Sequence, residues 1–162
     1  MWGSLKPWGS LRPWGSLGGG GGPAAPQPAT LRQAVYRLLS TSPALAATVG
    51  GRIWPGALPF APEYPAVAFM VASSSEERNY RGAAWASTRV QVNAWAETQA
   101  AAALAARACR SRLVDFSGWV GAVCIEDCEL VNELDLPERP GAAQDPCMFR
   151  VVLDLRIVHR VT

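Results

Sequence analysis

Between Ala84 and Leu113 the hydrophobic period changes from two to 3.6 residues. Up to Ala96 the chain alternates, with Val90, Val92 and Ala94 on one side and Arg89, Gln91, Asn93 and Trp95 on the other. Such alternation describes a strand buried on one face only. From Thr98 onward Ala101, Leu104, Ala105, Ala108 and Cys109 fall on one helical stripe, with Arg107 and Arg110 opposite. A one-sided strand that leads straight into an amphipathic helix belongs to a small α+β unit, in which helices cover one face of a sheet.

The flanking segments extend this picture. Thr30 is a suitable N-cap for a helix whose apolar residues, Leu31, Ala34, Val35, Leu38 and Leu39, recur at i, i+3, i+4, i+7 and i+8. Ser42-Pro43 can start a second short helical piece that stops at Gly50-Gly51. Arg52 to Pro55 reads as a short edge strand cut off by proline. Pro55, Pro59, Pro62 and Pro65 keep the next stretch extended before a strand over Ala66 to Ala72, and the polar run Ser73 to Gly82 reads as a hairpin loop or arm. Val120, Ala122 and Cys124 open another strand that continues to about Leu134, and Asp135 to Pro146, with three prolines, reads as a second long loop. In the last strand Phe149, Val151, Leu153, Leu155 and Ile157 face inward, and Arg150, Asp154, Arg156 and Arg160 face outward. Running to Val161, it spans about 40 Å at ~3.3 Å per residue. The expected fold is α+β: a mostly antiparallel sheet with two main helices packed on one face.

The first 28 residues follow other rules. Trp-Gly-Ser-Leu occurs at Trp2, Trp8 and Trp14 with a six-residue period, followed by Gly18 to Gly22 and Pro23-Ala24-Ala25-Pro26-Gln27-Pro28. Glycine and proline at this density hold no packed element, and no apolar run has signal-peptide form. Residues 1–28 are therefore expected to be a disordered arm and residues 29–162 a single domain. The repeat reads as duplicated low-complexity sequence, with an arm whose tryptophans dock on a partner as the alternative. Removing Lys6 and Arg12 from the fifteen basic residues leaves thirteen, against thirteen acidic ones. A balanced domain does not fit a dedicated nucleic-acid binder, which needs a basic surplus. The longest apolar run, Ala66 to Ala72, is far short of the ~18 residues of a membrane span, so no membrane partner is expected.

No catalytic signature is present: the chain has no Gly-x-Ser-x-Gly, no P-loop and no glycine-rich turn between a strand and a helix. Of the four cysteines, only Cys124 and Cys128 have the close spacing of a zinc knuckle, and they sit in a strand-like run without turn residues; Cys109 and Cys147 lie elsewhere. All four read as buried or half-buried free thiols. The lone His159 has inward parity and reads as structural, and Glu126, Asp127, Glu129 and Glu133 read as a solvated acidic edge, lacking a calcium-loop pattern. The expectation is a non-enzymatic chain with no cofactor and no metal. Two surfaces invite a partner: the Ser73–Gly82 loop with Arg78, Tyr80 and Arg81, and the outward basic row of the last strand. A solvated loop and a solvated sheet face are the alternatives.

Several segments in order carry a family resemblance: Leu31-Arg-Gln-Ala-Val-Tyr-Arg-Leu-Leu39, Gly50-Gly-Arg-Ile-Trp-Pro55, Tyr64-Pro-Ala-Val67, Thr88-Arg-Val-Gln-Val-Asn-Ala-Trp-Ala-Glu-Thr-Gln99 with its Ala-rich helix, and a long final strand ending in Arg156-Ile-Val-His-Arg160. From about residue 30 to the end the chain resembles the tail terminator, or tail-completion, proteins of long-tailed bacteriophages and gene transfer agents. The resemblance implies a virion subunit, assembled in the bacterial host cytoplasm, that forms a six-membered ring at the head-proximal end of the tail tube. Such a ring stops tube polymerisation and joins tail to head. The implied partners are other copies of the chain, the tail tube protein and a head completion or connector protein, with DNA only in transit through the bore. Ring closure requires two different patches of each subunit to meet; the candidates are Trp54, Arg78, Tyr80, Arg81, Trp85, Trp95, Arg150 and Arg156. The alternatives are another head–tail connector, a tail-tube subunit, or a small thiol- or metal-dependent enzyme built on Cys124, Cys128 and His159.

Overall fold

The computed structural model describes residues 27–80, 84–138 and 147–160. The Trp-Gly-Ser-Leu repeats, Arg81, residues 139–146 of the expected second loop, and Val161 lie outside the described residues. Three helices, α1 (Leu31–Ser40), α2 (Pro43–Val49) and α3 (Gln99–Leu113), accompany six strands. The strands are β1 (Ile53–Pro55), β2 (Ala66–Arg78), β3 (Ala84–Ala96), β4 (Gly118–Val120), β5 (Val123–Glu138) and β6 (Met148–Arg160). They form one sheet in the order β1-β2-β3-β6-β5-β4, antiparallel except for the β1–β2 pair.

Each helix starts where its sequence provides a cap. Thr30 and Gln33 make a reciprocal capping box on α1, Ser42 caps α2 with Pro43 inside its first turn, and Thr98 caps α3. The expected alternation of β3 holds: Val90, Val92 and Ala94 are buried against the helices. Helix α3 lies on β3, β5 and β6, and α1 touches both terminal strands of the sheet, β1 and β4. A sheet whose opposite edges reach one helix must curl around it, in the sense of the usual strand twist. The core between them is Phe69, Val90, Val92, Leu153, Leu155 and Ile157 from the sheet against Leu39, Cys109 and Leu113 from the helices.

Four expectations change. The buried stripe of α3 is Ala102, Ala105, Ala106, Ala108, Cys109 and Leu113, so Ala105, Ala108 and Cys109 face inward as expected, whereas Leu104 is 58% exposed and Ala101 only half-buried. A run of alanines specifies helix without specifying a face, so the bulk of Leu113 and the close approach that small residues permit decide the rotation. The polar segment Ser73–Arg78 is strand, laddered to β3 from Arg89 to Ala84. Its Ser74 hydroxyl bonds that of Thr88 at 2.8 Å. Both faces of this overhang are solvated, so nothing imposes an alternating pattern. Likewise Asp135–Glu138 continue β5 opposite Val151 to Met148, with Pro137 tolerated on a strand whose other edge is open. Finally, β4 and β5 are two strands joined at Gly121-Ala122, where Gly121 has φ +62°; positive φ is what a two-residue hairpin turn asks for.

Candidate functional site: the helix-free sheet face and its edges

The residues of β3 and β6 that point away from the helices form a paired array. Trp85, Arg89, Gln91, Asn93 and Trp95 stand opposite Arg160, Arg156, Asp154, Val152 and Arg150. Position by position, every arginine in it has an acid. Arg89 Nε donates to Asp154 Oδ1 at 3.0 Å, Arg156 Nη2 meets Glu129 at 2.6 Å, Arg160 Nε meets Glu126 at 3.1 Å, and Arg150 pairs with Glu138. Hydrogen bonds and charge from Asp154 and Glu129 raise Arg89 and Arg156 above the ordinary arginine value. The outward row of β6 is therefore no bare basic patch, and the acidic run of β5 no bare acidic edge. They neutralise each other across the strand pair, because the register sets Glu129 beside Arg156. Ion pairs this exposed contribute little stability; their effect is to fix which strand, and which neighbour, fits.

Two of the arginines also cover tryptophans. Arg150 sits 4.8 Å from the Trp95 ring centroid and Arg160 5.0 Å from that of Trp85. Next to the Trp95 stack the face becomes apolar: Ala68 and Val152 are buried, and Met70 and Leu134 are 45% exposed. Asn93 lies among them, 8% exposed, with its side-chain oxygen buried and unpaired among the described residues, as is Arg150 Nε. A buried acceptor without a partner costs free energy, and a neighbouring chain is one way to satisfy it.

The structure thus brings Trp85, Trp95, Arg150 and Arg156 onto one face. Arg78 and Tyr80 lie at the far tip of the β2–β3 hairpin, Arg78 beside Glu76 at 3.7 Å and Tyr80 93% exposed. Trp54 is on edge strand β1, beside α1. Sequence reading missed Glu138, the pairing of these acids with the arginines, the orphan Asn93 and a set of exposed apolar side chains: Phe60 in the proline loop, Trp119, Val131 and Leu134. The acids were visible as a cluster, but only strand register reveals their partners.

The sheet also has two open edges. Strand β1 covers β2 only at Val67 to Phe69, and β4 covers β5 only at Val123 to Ile125. Beyond these, the outer edges of Met70–Arg78, on the side away from β3, and of Glu129–Glu138, on the side away from β6, have no neighbouring strand among the described residues. Long unpaired edges are templates for another chain.

The residues of the alternative enzymatic reading do not assemble. His159 Nε2 lies 3.1 Å from Thr88 Oγ1, on the β3 side of its strand, and Nδ1 lies 3.2 Å from the Arg160 carbonyl. A carbonyl only accepts, so in the neutral ring Nδ1 carries the proton and Nε2 accepts from Thr88, which in turn accepts from Ser74. Burial pushes the Cys109 and Cys128 thiols up to about 12, and burial followed by Glu126 raises Cys124. Such thiols are poor nucleophiles. Among the described residues no three His, Cys, Asp or Glu side chains come together as a metal set, and no helix is long and apolar enough to cross a membrane.

Residues 33–160 match the tail completion protein gp17 family. The chain belongs to that family. It is a tail completion protein, a structural component of the virion. Its fold is also that of a chain in a solved structure described as the virion of a native gene transfer agent (GTA) particle. The two superpose with a TM-score of 0.62 at 21% identity, over 81% of this chain and 95% of the other. No curated protein sequence matches.

Proposed function

We propose that this tail completion protein closes into a ring at the head-proximal end of the tail tube, where it ends tube polymerisation and offers the surface that joins tail to head. The observation that carries the reading is the pair of open edges on opposite sides of one sheet. Strand Met70–Arg78 of one subunit and strand Glu129–Glu138 of the next are different patches, so their contact is head-to-tail. Such a contact makes a closed ring if the rotation per subunit closes and a filament if it does not. Strand addition supplies main-chain hydrogen bonds, and the flanking side chains supply selectivity. The helix-free face with Asn93, Trp95 and Arg150 lies beside these edges and is buried with them. Six subunits follow from the family resemblance, as do the tail tube protein and a head connector as partners on the two faces. DNA passes through the bore without sequence-specific contact.

The test is the solution mass and negative-stain appearance of the full chain, alone and with tail tubes, for the natural sequence and for Val131→Lys/Leu134→Lys. Both side chains are more than 40% exposed, so the subunit fold tolerates the change while an edge lysine opposes strand pairing. Discrete rings, alone or on tube ends, that the double variant loses are expected. Long tubes would instead indicate a tube subunit, and a monomer that never caps tubes would refute the proposal.

A further inference from the structure

The Trp-Gly-Ser-Leu repeats lie outside the residues that match the family, which begin at residue 33, and the ring leaves them without a role. The described chain begins at a fixed point. The Pro28 carbonyl accepts from the Ala122 N–H at 2.8 Å, and the Gln27 side-chain oxygen accepts from Arg37 at 2.9 Å. Pro28 is packed so tightly on Gly121 that a Cβ there would lie 2.6 Å from it. The root of the N-terminal arm is thus clamped between α1 and the β4–β5 turn.

That root is itself part of a groove. A cavity of about 710 Å³, lined by Gln27 and Pro28 together with Arg32, Tyr36, Ile53, Trp54 and Pro55, runs between α1 and edge strand β1. Tyr36 is 41% exposed there. Two aromatic rings, two prolines and arginines at the margin suit an indole and a leucine: aromatic stacking and cation–π contact are both available. The protein already places Arg150 and Arg160 over Trp95 and Trp85 in this manner.

We propose that the Trp-Gly-Ser-Leu repeats of the arm dock into this α1–β1 groove of their own chain, capping the edge strand β1. The occupant follows from where the chain emerges. Trp14 precedes Gln27 by thirteen residues, and a glycine-rich tether of that length spans about 20 Å on average. A site at the root of the tether therefore meets the repeats at an effective concentration in the mM range, which no free partner matches. Three copies competing for one groove also make each dispensable. Loss of one tryptophan leaves two other copies to fill the groove, and only loss of all three empties it.

The experiment uses the full chain labelled with 5-fluorotryptophan, with Trp54 as reporter inside the groove and Trp119 as control outside it. In fluorine NMR the Trp54 resonance should move when Trp2, Trp8 and Trp14 are all changed to Ala, and far less for any single change. Trp119 should stay in place. The synthetic peptide WGSLRPWGSL, titrated into the triple variant, should return the Trp54 resonance to its original position, and Tyr36→Ala should release the arm tryptophans to their free shifts. A Trp54 resonance indifferent to the triple change would overturn the docking. Dependence of its position on protein concentration would overturn the intramolecular assignment, since the occupant would then come from a second copy.

Discussion

Gly121→Ala reads out the clamp at the arm root with a magnitude that the geometry supplies. Two costs combine. An alanine at φ +62° occupies the left-handed region at roughly 1–2 kcal/mol. Its Cβ would lie 2.6 Å from both the Pro28 carbonyl oxygen and a Pro28 ring carbon, and relieving such an overlap costs about 1–3 kcal/mol where the neighbours are fixed. Pro28 can retreat only by breaking the Ala122 N–H bond to its carbonyl, worth on the order of 1 kcal/mol, which sets the cheaper route of relief. By that route the sum is about 2–3 kcal/mol of destabilisation. For a chain of this size that is a fall in Tm of roughly 5–12 °C. Gly51→Ala is the internal control: its φ lies outside the left-handed region and no atom lies within 4 Å of its would-be Cβ. It is expected to be neutral or to stabilise by up to about 1 kcal/mol. Urea denaturation of both variants, followed by far-UV circular dichroism, measures the contrast. If the two unfolding free energies agreed within about 0.5 kcal/mol, Pro28 would not be packed on the β4–β5 turn and the reasoning about the arm root would fail.

The rotation of α3 is checked by a pair of substitutions. Ala102→Leu overfills a fully buried position that the stripe read from sequence leaves outside and should destabilise by about 1–3 kcal/mol, while Leu104→Ala, at a 58% exposed position, should stay within about 0.5 kcal/mol; the reverse order in thermal melts would restore the stripe read from sequence. The thiols give a pH dependence whose sign is fixed. Cys109 and Cys128 are held protonated in the fold, up to about 12 against an ordinary 9. The folded state thus binds more protons between those values, so their contribution is complete below pH 9 and is lost as pH rises from 9 to 12. Urea midpoints measured from pH 8 to 11 should fall for the natural chain and fall less for Cys109→Ala/Cys128→Ala; equal slopes would refute the burial argument. In the same conditions at pH 8, iodoacetamide should spare both thiols in the folded chain and label them in urea.

Local chemistry announced much of the architecture. Caps at Thr30, Ser42 and Thr98, proline within α2 and the alternation of Val90, Val92 and Ala94 act over a few residues. They mark the helices and the central strand wherever those later pack. The α+β class follows from that order, and the family resemblance rests on the same ordered segments. Tertiary structure decided what depends on a distant partner. Ser73–Arg78 and Asp135–Glu138 are strands because β3 and β6 supply their ladders, not because their own side chains alternate. The face of α3 follows from the sheet beneath it, since alanine is indifferent to direction. The arginines of β6 and the acids of β5 looked like separate charged surfaces until register set Glu129 beside Arg156. The orphaned Asn93, the open edges and the groove at Pro28 are relations between segments far apart in sequence, and periodicity within a segment holds no information about what will lie across from it.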